Sequence, residues 1–568
     1  MFKNFGQAMT WVHTWFGLVI GFVLVVVFFF GSLSVFDREI DRWAIPESRF
    51  APQPMPSFDD MLEPAYLKLL PHPDSLAETK RRVIGDIPDP ASLPLTSMGA
   101  YTTHRDPVLQ IFTTYDIPNK PVDANDEHVH VHGWATLDPR NGKLFADDQQ
   151  KIGSRFFYPL HFNLTFTWMN LGYWIVGFAA LIMLVGLITG VVIHHKVFRE
   201  FFTFRPARKI QRSTLDLHNM TGVLGLPFHF FFAFTGLVIF AGIYFPVTHS
   251  QLEPLHELHE LQEEQETGLP HDPAEVYTPM ASVDAMVEEA QRRWAEKGMA
   301  GEVGFLSVNH YNDENGYVSI YRAGTDRVAN VSDGIHFKAS TGEVLHENPP
   351  STVVGSIDSF LTGLHLQHFR HWLLRWLYVL GGLMGCVCIA TGFIFFVEKR
   401  KQRHAKSGSQ GSRVVDALAV TTVTGMLIAT MAILIANRLL PETLPADWLG
   451  RDRLERYAFW GAWVLAMLHA FVRSAPVAEG KLNPAWREQS WAIAVMAVMA
   501  VLLNWITTGD HLLSTISAGY WPVAGVDLAL LTSAAVAIFA AKKLQASMSA
   551  ATSSVASNNM RREIRHVS

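Results

Sequence analysis

The sequence predicts a polytopic α-helical membrane protein. Four helices form a core built from an internal two-fold repeat, two α+β segments sit outside the membrane, and four further transmembrane helices follow. Three observations carry this: long charge-free runs, two polar stretches with strand-and-turn patterning, and self-similarity at a shift of about 205 residues. The chain has 568 residues, of which 49% are hydrophobic, and the apolar residues are gathered rather than spread. Residues 14–36 carry no charge over 23 positions, enough for a helix to cross a hydrocarbon core of ~30 Å. A wholly soluble protein is excluded.

Long apolar runs mark eight expected spans, at about 14–36, 169–195, 215–246, 372–397, 415–437, 457–472, 490–508 and 520–541. The first has little basic character before it and no small-residue cleavage site after it, so it reads as an uncleaved anchor rather than a signal peptide. The chain then divides into a first helix (1–36), an extramembrane domain (37–160) and helices two and three (161–246) joined by a basic loop at 196–213. A second domain (247–364), helix four (365–397), a basic linker (398–414), helices five to eight (415–541) and a tail expected to be disordered (542–568) complete it.

Short loops orient the spans. Residues 196–213 and 398–413 each hold six Lys/Arg against one acid. The positive-inside rule puts both in the cytoplasm, together with both termini. The long segments then lie on the far side, which in a bacterial inner membrane is the periplasm. They are acidic, with 13 basic and 19 acidic residues in 37–160 and 6 against 20 in 247–364, but long segments translocate largely regardless of charge. The net charge of −6 gives no reason to expect a nucleic-acid partner. The only cysteines, Cys386 and Cys388, sit inside an apolar run and read as packing residues, so no disulfide framework supports the outer segments.

Those segments read as folded units. HVHVHGWATLDPRNGKLFADD alternates, turns at Asp138–Gly142 and resumes as a hairpin. EVGFLSVNHYNDENGYVSIYRAG turns at Asn315-Gly316, GIHFKASTGEVLHE turns at Thr341-Gly342, and SVDAMVEEAQRRWAEKG before them has helical character. Each segment is expected to be its own α+β domain.

A shift of 205 residues lays His13 on His218, Gly17 on Gly222, Phe29 on Phe234 and Gly31 on Gly236. Shifts of 204 and 202 lay His161 on His365, and Thr189-Gly190 on Thr391-Gly392. Two halves of the form span–domain–span, inserted in the same direction, imply a pseudo-twofold axis along the membrane normal. Residues related by that axis can face each other across it. Opposed imidazoles in a helix bundle are the usual axial ligands of a b-type haem, and polar groups in lipid are costly and tend to be functional. His13 with His218, and His161 with His365, are therefore the expected haem-iron ligands of two haems b. No Cys-x-x-Cys-His exists for covalent attachment.

Other histidines compete. His229 stands eleven residues after His218, about 16 Å along a straight helix, and reads as a ligand substitute or a proton or quinone contact. His194 closes the second span and competes with His13. His365, His368 and His371 are spaced by threes, so on a helix their ligand roles interchange. Arg370 and Arg375 read as partners for haem propionates or as interfacial anchors. His128, His130 and His132 share one strand face, which reads as a solvated surface before a metal site. His256 and His259, among glutamates, read as a charged surface helix. Gly186, Thr189, Gly190, Gly381, Gly382 and Gly385 read as close-packing positions that also leave room for a porphyrin face.

WVHTWFGL, YPLHFNLTF, FFTFRPARKIQRS, LDLHNMTGVLGLPFHFFFAFTGL and LHLQHFRHWLLRWLYVLGG, taken in order, resemble the PepSY-associated transmembrane helix family over about residues 8–400. Members include bacterial inner-membrane ferric-siderophore reductases with two b haems in a four-helix core and PepSY-type periplasmic domains. The resemblance implies the same four ligands, His13, His161, His218 and His365. Helices five to eight depart from that plan.

The function expected is electron transfer from the cytoplasmic side to a periplasmic ferric complex, such as a ferric siderophore, for iron acquisition. No strand–GxGxxG–helix unit is present, so the donor is expected to be a separate cytoplasmic reductase or quinol in the lipid bilayer. The alternative is a non-redox membrane protein whose periplasmic domains regulate a protease or transporter partner.

Overall fold

The computed structural model describes residues 4–101, 106–117, 129–145, 151–194, 205, 209–244, 266–330, 332–441, 449–474 and 483–567. They form two compact units. One, mostly helical, is built from 1–46, 150–244 and 373–568; the other, built around a sheet, from 47–149 and 245–372.

In the helical unit α1 (Phe5–Ser34) is capped by Asn4, whose side chain accepts from the Gln7 amide. It is followed by α2 (Asp37–Ala44), α3 (Tyr158–Phe162), α4 (Leu171–Ile193), α5 (Ile210–Leu224), α6 (Leu226–Ile239) and α7 (Trp372–Ser407). Then come α8 (Gly411–Val420) and α9 (Met426–Leu439), joined by a π-helical turn at Thr421–Gly425, and α10 (Arg451–Arg473), α11 (Pro484–Thr508) and α12 (Trp521–Val567). Six helical stretches are long and apolar enough to cross a membrane among the described residues: Phe5–Ser34, Trp168–Ile193, Trp372–Lys401, Gly411–Leu439, Pro484–Thr508 and Trp521–Gln545. The protein is a multi-pass membrane protein.

Several expectations change. The third span is a bent pair, α5 and α6, broken by 62° at Gly225, where Pro227 removes a backbone donor from the start of α6. Counted as one, the pair makes a seventh span. The sixth, expected at 457–472, falls in α10, which is not among the stretches that qualify. Its first two turns carry Arg451, Asp452, Arg453, Glu455 and Arg456. Helix four starts at Trp372 rather than 365, because the preceding helix, Val353–Leu366, stops at Gln367 in the left-handed region (φ 58°). His365, His368 and His371 therefore do not share a helix. The tail expected to be disordered continues α12 to Val567, with neither Gly nor Pro after Gly525 to stop it.

The second unit corrects the expectation of two separate domains. Its seven strands form one antiparallel sheet in the order β3-β2-β1-β4-β5-β6-β7: β1 Leu95–Tyr101, β2 Leu109–Asp116, β3 His130–Leu137, β4 Val303–Asn309, β5 Tyr317–Arg322, β6 Gly334–Lys338 and β7 Val344–Glu347. The halves meet where β1 pairs with β4, Gly99 opposite Ser307. Separate sheets would have left both strands as open edges with unpaired N–H and C=O groups. One core runs through both halves, with Leu62, Tyr66, Met98, Ile111 and Leu137 from the first and Trp294, Leu306, Ile320 and Phe337 from the second.

The helix starts confirm the relation between halves. Ser57 Oγ and the Phe58 amide donate to Asp284 (2.5 and 2.7 Å), while Ser282 Oγ and the Val283 amide donate to Asp59 (2.6 and 3.0 Å). Each half caps the other's helix. The expected turn at Thr341-Gly342 is present between β6 and β7, with Gly342 at φ 73°. The hairpin expected after β3 is reduced to a single bridge, Leu137 to Leu144, among the described residues.

Candidate functional site

Two of the expected ligands meet in the helical unit. His13, in the third turn of α1, and His218, in the middle of α5, lie with ring centroids 6.1 Å apart and planes at 82°. His13 Nδ1 is 3.1 Å from the Gly186 carbonyl and 3.2 Å from Thr189 Oγ1, both on α4. His218 Nδ1 is 2.7 Å from the Cys388 carbonyl on α7. A carbonyl only accepts, so Nδ1 carries the proton in both rings and Nε2 keeps its lone pair. Donation from the non-ligating nitrogen to a backbone carbonyl is the usual support of a metal-bound imidazole.

The support repeats with the helices. Gly186 and Cys388 are separated by the same 202 positions as Thr189 and Thr391. Thr391 Oγ1 in turn donates to the carbonyls of Val387 and Cys388 (2.7 and 2.9 Å). Glycine faces each ring from the same repeat position: a Cβ on Gly190 would stand 3.3 Å from the His13 ring, and one on Gly392 3.3 Å from the His218 ring. Beside them Gly17 and Gly186 face open space.

These residues fit a haem. Two metal–nitrogen bonds of about 2 Å each, plus the distance from ring centre to nitrogen on either side, add to roughly 6 Å, as the two imidazoles stand here. The other glycines are close-packing positions: a Cβ on Gly381, Gly382 or Gly385 would strike Phe228, Ser32 or Phe28.

His161 is held separately, on the short helix α3. Its Nδ1 donates to the Val27 carbonyl of α1 at 2.8 Å, and α1 lets it approach because residue 31 is glycine. A Cβ there would stand 2.6 Å from His161 Nδ1. The turn before it, Ile152–Phe157, is fixed by the Asp41 carboxylate, which accepts from the Gly153 amide (2.7 Å) and Ser154 Oγ (2.5 Å). Burial pushes the Asp41 carboxyl up to about 6, against the opposing effects of Arg38, Lys151 and Ser154.

His365 lies in the sheet-containing unit, in the last turn of the helix Val353–Leu366. His368 is exposed in the segment after it. His194 caps α4, exposed, with its amide bonded to the Gly190 carbonyl (3.1 Å). His229 is buried, but its Nε2 is 3.2 Å from the Gly381 carbonyl, so it uses the nitrogen that His13 and His218 leave open. The straight-helix depth expected for it does not apply, because the bend at Gly225 precedes it.

Arg375 is engaged by the Val35 carbonyl and the Glu39 carboxylate, 2.6 and 2.8 Å from Nη2, and its guanidinium lies over Phe36. A carboxylate of the chain itself thus takes the charge assigned to a propionate. His128, His256 and His259 lie outside the described residues; His130 and His132 stand on β3, and among the described residues no three His, Cys, Asp or Glu are placed to hold a metal ion.

The sequence reading missed the carbonyl acceptors at Gly186 and Cys388, which the repeat shift of 202 would have paired. It also missed Asp41, for which no local signal exists.

The family described as PepSY-associated TM region matches residues 10–399. A Pseudomonas aeruginosa (strain PAO1) protein described as uncharacterized protein PA4219 is 26% identical over 378 residues, covering 62% of this chain and 85% of the relative. Helices α8–α12 lie beyond the family match.

Proposed function

The chain belongs to the PepSY-associated TM family, and from that premise we propose that it is a di-haem b oxidoreductase of the bacterial inner membrane that reduces a periplasmic ferric complex, a ferric siderophore foremost. The observation that carries the reading is the His13–His218 pair: two imidazoles 6.1 Å apart, each with Nδ1 committed to a backbone carbonyl and Nε2 left for a metal.

In this reading His13 and His218 would hold one haem and His161 would ligate the second, for which the repeat names His365 as the matching residue. Haem bound there supplies one-electron transfer between the two faces of the membrane. The protein's part is orientation. The Gly186, Cys388 and Val27 carbonyls fix ring rotation and tautomer, and the glycines beside the rings keep the space clear. Donation to a carbonyl raises the basicity of the ligating nitrogen. The donor is a cytoplasmic reductase or quinol, and both termini are cytoplasmic. Reduction of Fe(III) to Fe(II) would release the metal, since hard oxygen chelators hold Fe(II) less firmly.

The test is a dithionite-reduced minus oxidised spectrum of the purified full-length protein, with pyridine haemochrome quantitation. About two b haems per chain, reoxidised on addition of a ferric siderophore, are expected. Protein from haem-sufficient cells that carries no haem would overturn the proposal.

A further inference from the structure

Helices α9–α12 lie outside the family match, yet they are built into the surroundings of His161. The connection runs through α2, the eight-residue helix that follows α1. One face of α2 presents Asp41 to the turn before α3, where it accepts from Gly153 and Ser154. The fit is tight enough that a Cβ on Gly153 would run into the Asp37 carbonyl.

The C-terminal end of α2 is gripped by the added helices. Trp43, with no exposed surface, donates from Nε1 to Asp527 Oδ1 of α12 at 2.8 Å. Asp527 is itself fully buried, and its other oxygen is 3.4 Å from Asn504 Nδ2 of α11. Arg438, at the end of α9, donates to the Ala44 carbonyl and lies 5.0 Å over the Trp43 ring. Arg438 is tied in turn to Asn437, Asn437 to Glu455, and Glu455 to Arg451 of α10. The turn before α3 is also touched directly: Phe156 packs edge-on against Phe459 of α10 (4.9 Å) and Trp460 (6.5 Å), and Phe459 reaches Phe30 of α1 (6.0 Å).

A buried aspartate that accepts from a tryptophan is a costly device for anchoring a short helix. A carboxyl left without such partners in an apolar interior is strongly unfavourable. The grip is therefore specific, and it fixes the position of α2, hence of Asp41, the 152–157 turn and the helix that carries His161.

We propose that α9–α12 brace the His161 site, and that Trp43 and Asp527 are positioning residues that set the His161 ring through α2 and the turn before α3. This rests on the haem reading above for its spectroscopic consequence, but not for the mechanical one. The His13–His218 pair makes none of these contacts: its supports come from α4 and α7. The brace acts on one site only.

The experiment uses the full-length protein in detergent, with Trp43→Phe and Asp527→Asn as test variants; Trp43→Phe keeps an aromatic ring against Arg438. Asp416→Asn is the control: its partner, Trp486 Nε1 at 3.3 Å, lies within the same added helices but away from α2. Equilibrium redox titration assigns the two haems by the one lost in His161→Ala. Both test variants should keep two haems and change the reduced-to-oxidised ratio of the His161 haem, at its wild-type midpoint, by about three- to tenfold, leaving the other unchanged. Amide hydrogen exchange over 153–162 should quicken by about tenfold, the equivalent of one charge-assisted hydrogen bond, with no change over 210–224. Asp416→Asn should do neither.

Unchanged exchange at 153–162, or equal movement of both haems, would overturn the brace. A wild-type protein without haem would overturn the haem reading instead, and the exchange measurement would still decide the brace.

Discussion

The repeat-related pair His13 and His218 in the helical unit and the histidines of the sheet are held in opposite ways. In the sheet-containing unit, His336 on β6 has both nitrogens satisfied by side chains: Ser319 Oγ is 2.8 Å from Nδ1, and Asn348 Oδ1 3.1 Å from Nε2. His130 pairs with Asp116 on the neighbouring strand at 2.7 Å. In the helical unit, His13 and His218 give one nitrogen each to a backbone carbonyl, and Nε2 makes no hydrogen bond among the described residues. A sheet offers cross-strand side chains that complete an imidazole; around this pair the membrane helices offer backbone carbonyls and the Thr189 hydroxyl, all at Nδ1. Under the proposed function, the half-satisfied histidines at repeat-related positions are the ligands, and the fully satisfied ones serve packing.

The sharpest way to break the comparison is to remove a histidine from each unit. His218→Ala is expected to lower haem from about two per chain to about one, by pyridine haemochrome, whereas His336→Ala should leave it unchanged. Equal loss in both would remove the distinction. Gly31→Leu should follow closely. Its side chain would occupy the place of the His161 ring, so the His161 haem should be lost while the other is retained, read as a halved reduced-minus-oxidised difference band. In the sheet-containing unit the largest effect belongs to the core. Trp294, 1% exposed, replaced by Ala should cost about 3–5 kcal/mol of that unit's stability without altering the haem spectrum, as measured by pulse proteolysis in urea.

What the sequence made legible follows the same division. The repeat brought His13 to His218, and the paired carbonyls at Gly186 and Cys388 obey it too. Periodicity located α1, α4, α7, α11 and α12 because each is a long apolar run. It also located the helix of α10, though that helix is not among the stretches apolar enough to cross a membrane, and it missed the bend at α5–α6, where a Gly-x-Pro break is cheap in composition and large in angle. The joining of two expected domains into one sheet was not legible. Strand patterning shows which residues alternate, but not which edge meets which, and β1 with β4 are about 200 residues apart. The contacts of α2 with Asp527 and Arg438 were hidden for the same reason: they join residues 394 or more positions apart and carry no local motif.

The smallest expected effect is a pH dependence confined to one unit. Burial holds the His336 imidazole below its ordinary range, against the raising effect of Asn348, and His346 lowers it further. Burial likewise lowers His132, with neighbouring His130 adding to the effect and Glu78 opposing it. Both rings therefore fold in the neutral form. A histidine whose value is depressed on folding binds fewer protons in the native state than in the unfolded one, so its contribution is complete above the unfolded value of about 6.5 and is lost as pH falls below it. Around His336 stand Ser319 and Tyr321 on β5, His346 on β7, and Asn348 just beyond it; no carboxylate is in contact to stabilise the charged ring among these neighbours. The sheet-containing unit should lose stability between pH 7 and pH 5.5, seen as a lower urea midpoint for cleavage within 266–372, and His336→Gln should make that midpoint less sensitive to pH. A midpoint that rises on acidification would reverse the sign argued here and would show that charged imidazoles outweigh the two buried neutral rings in this unit.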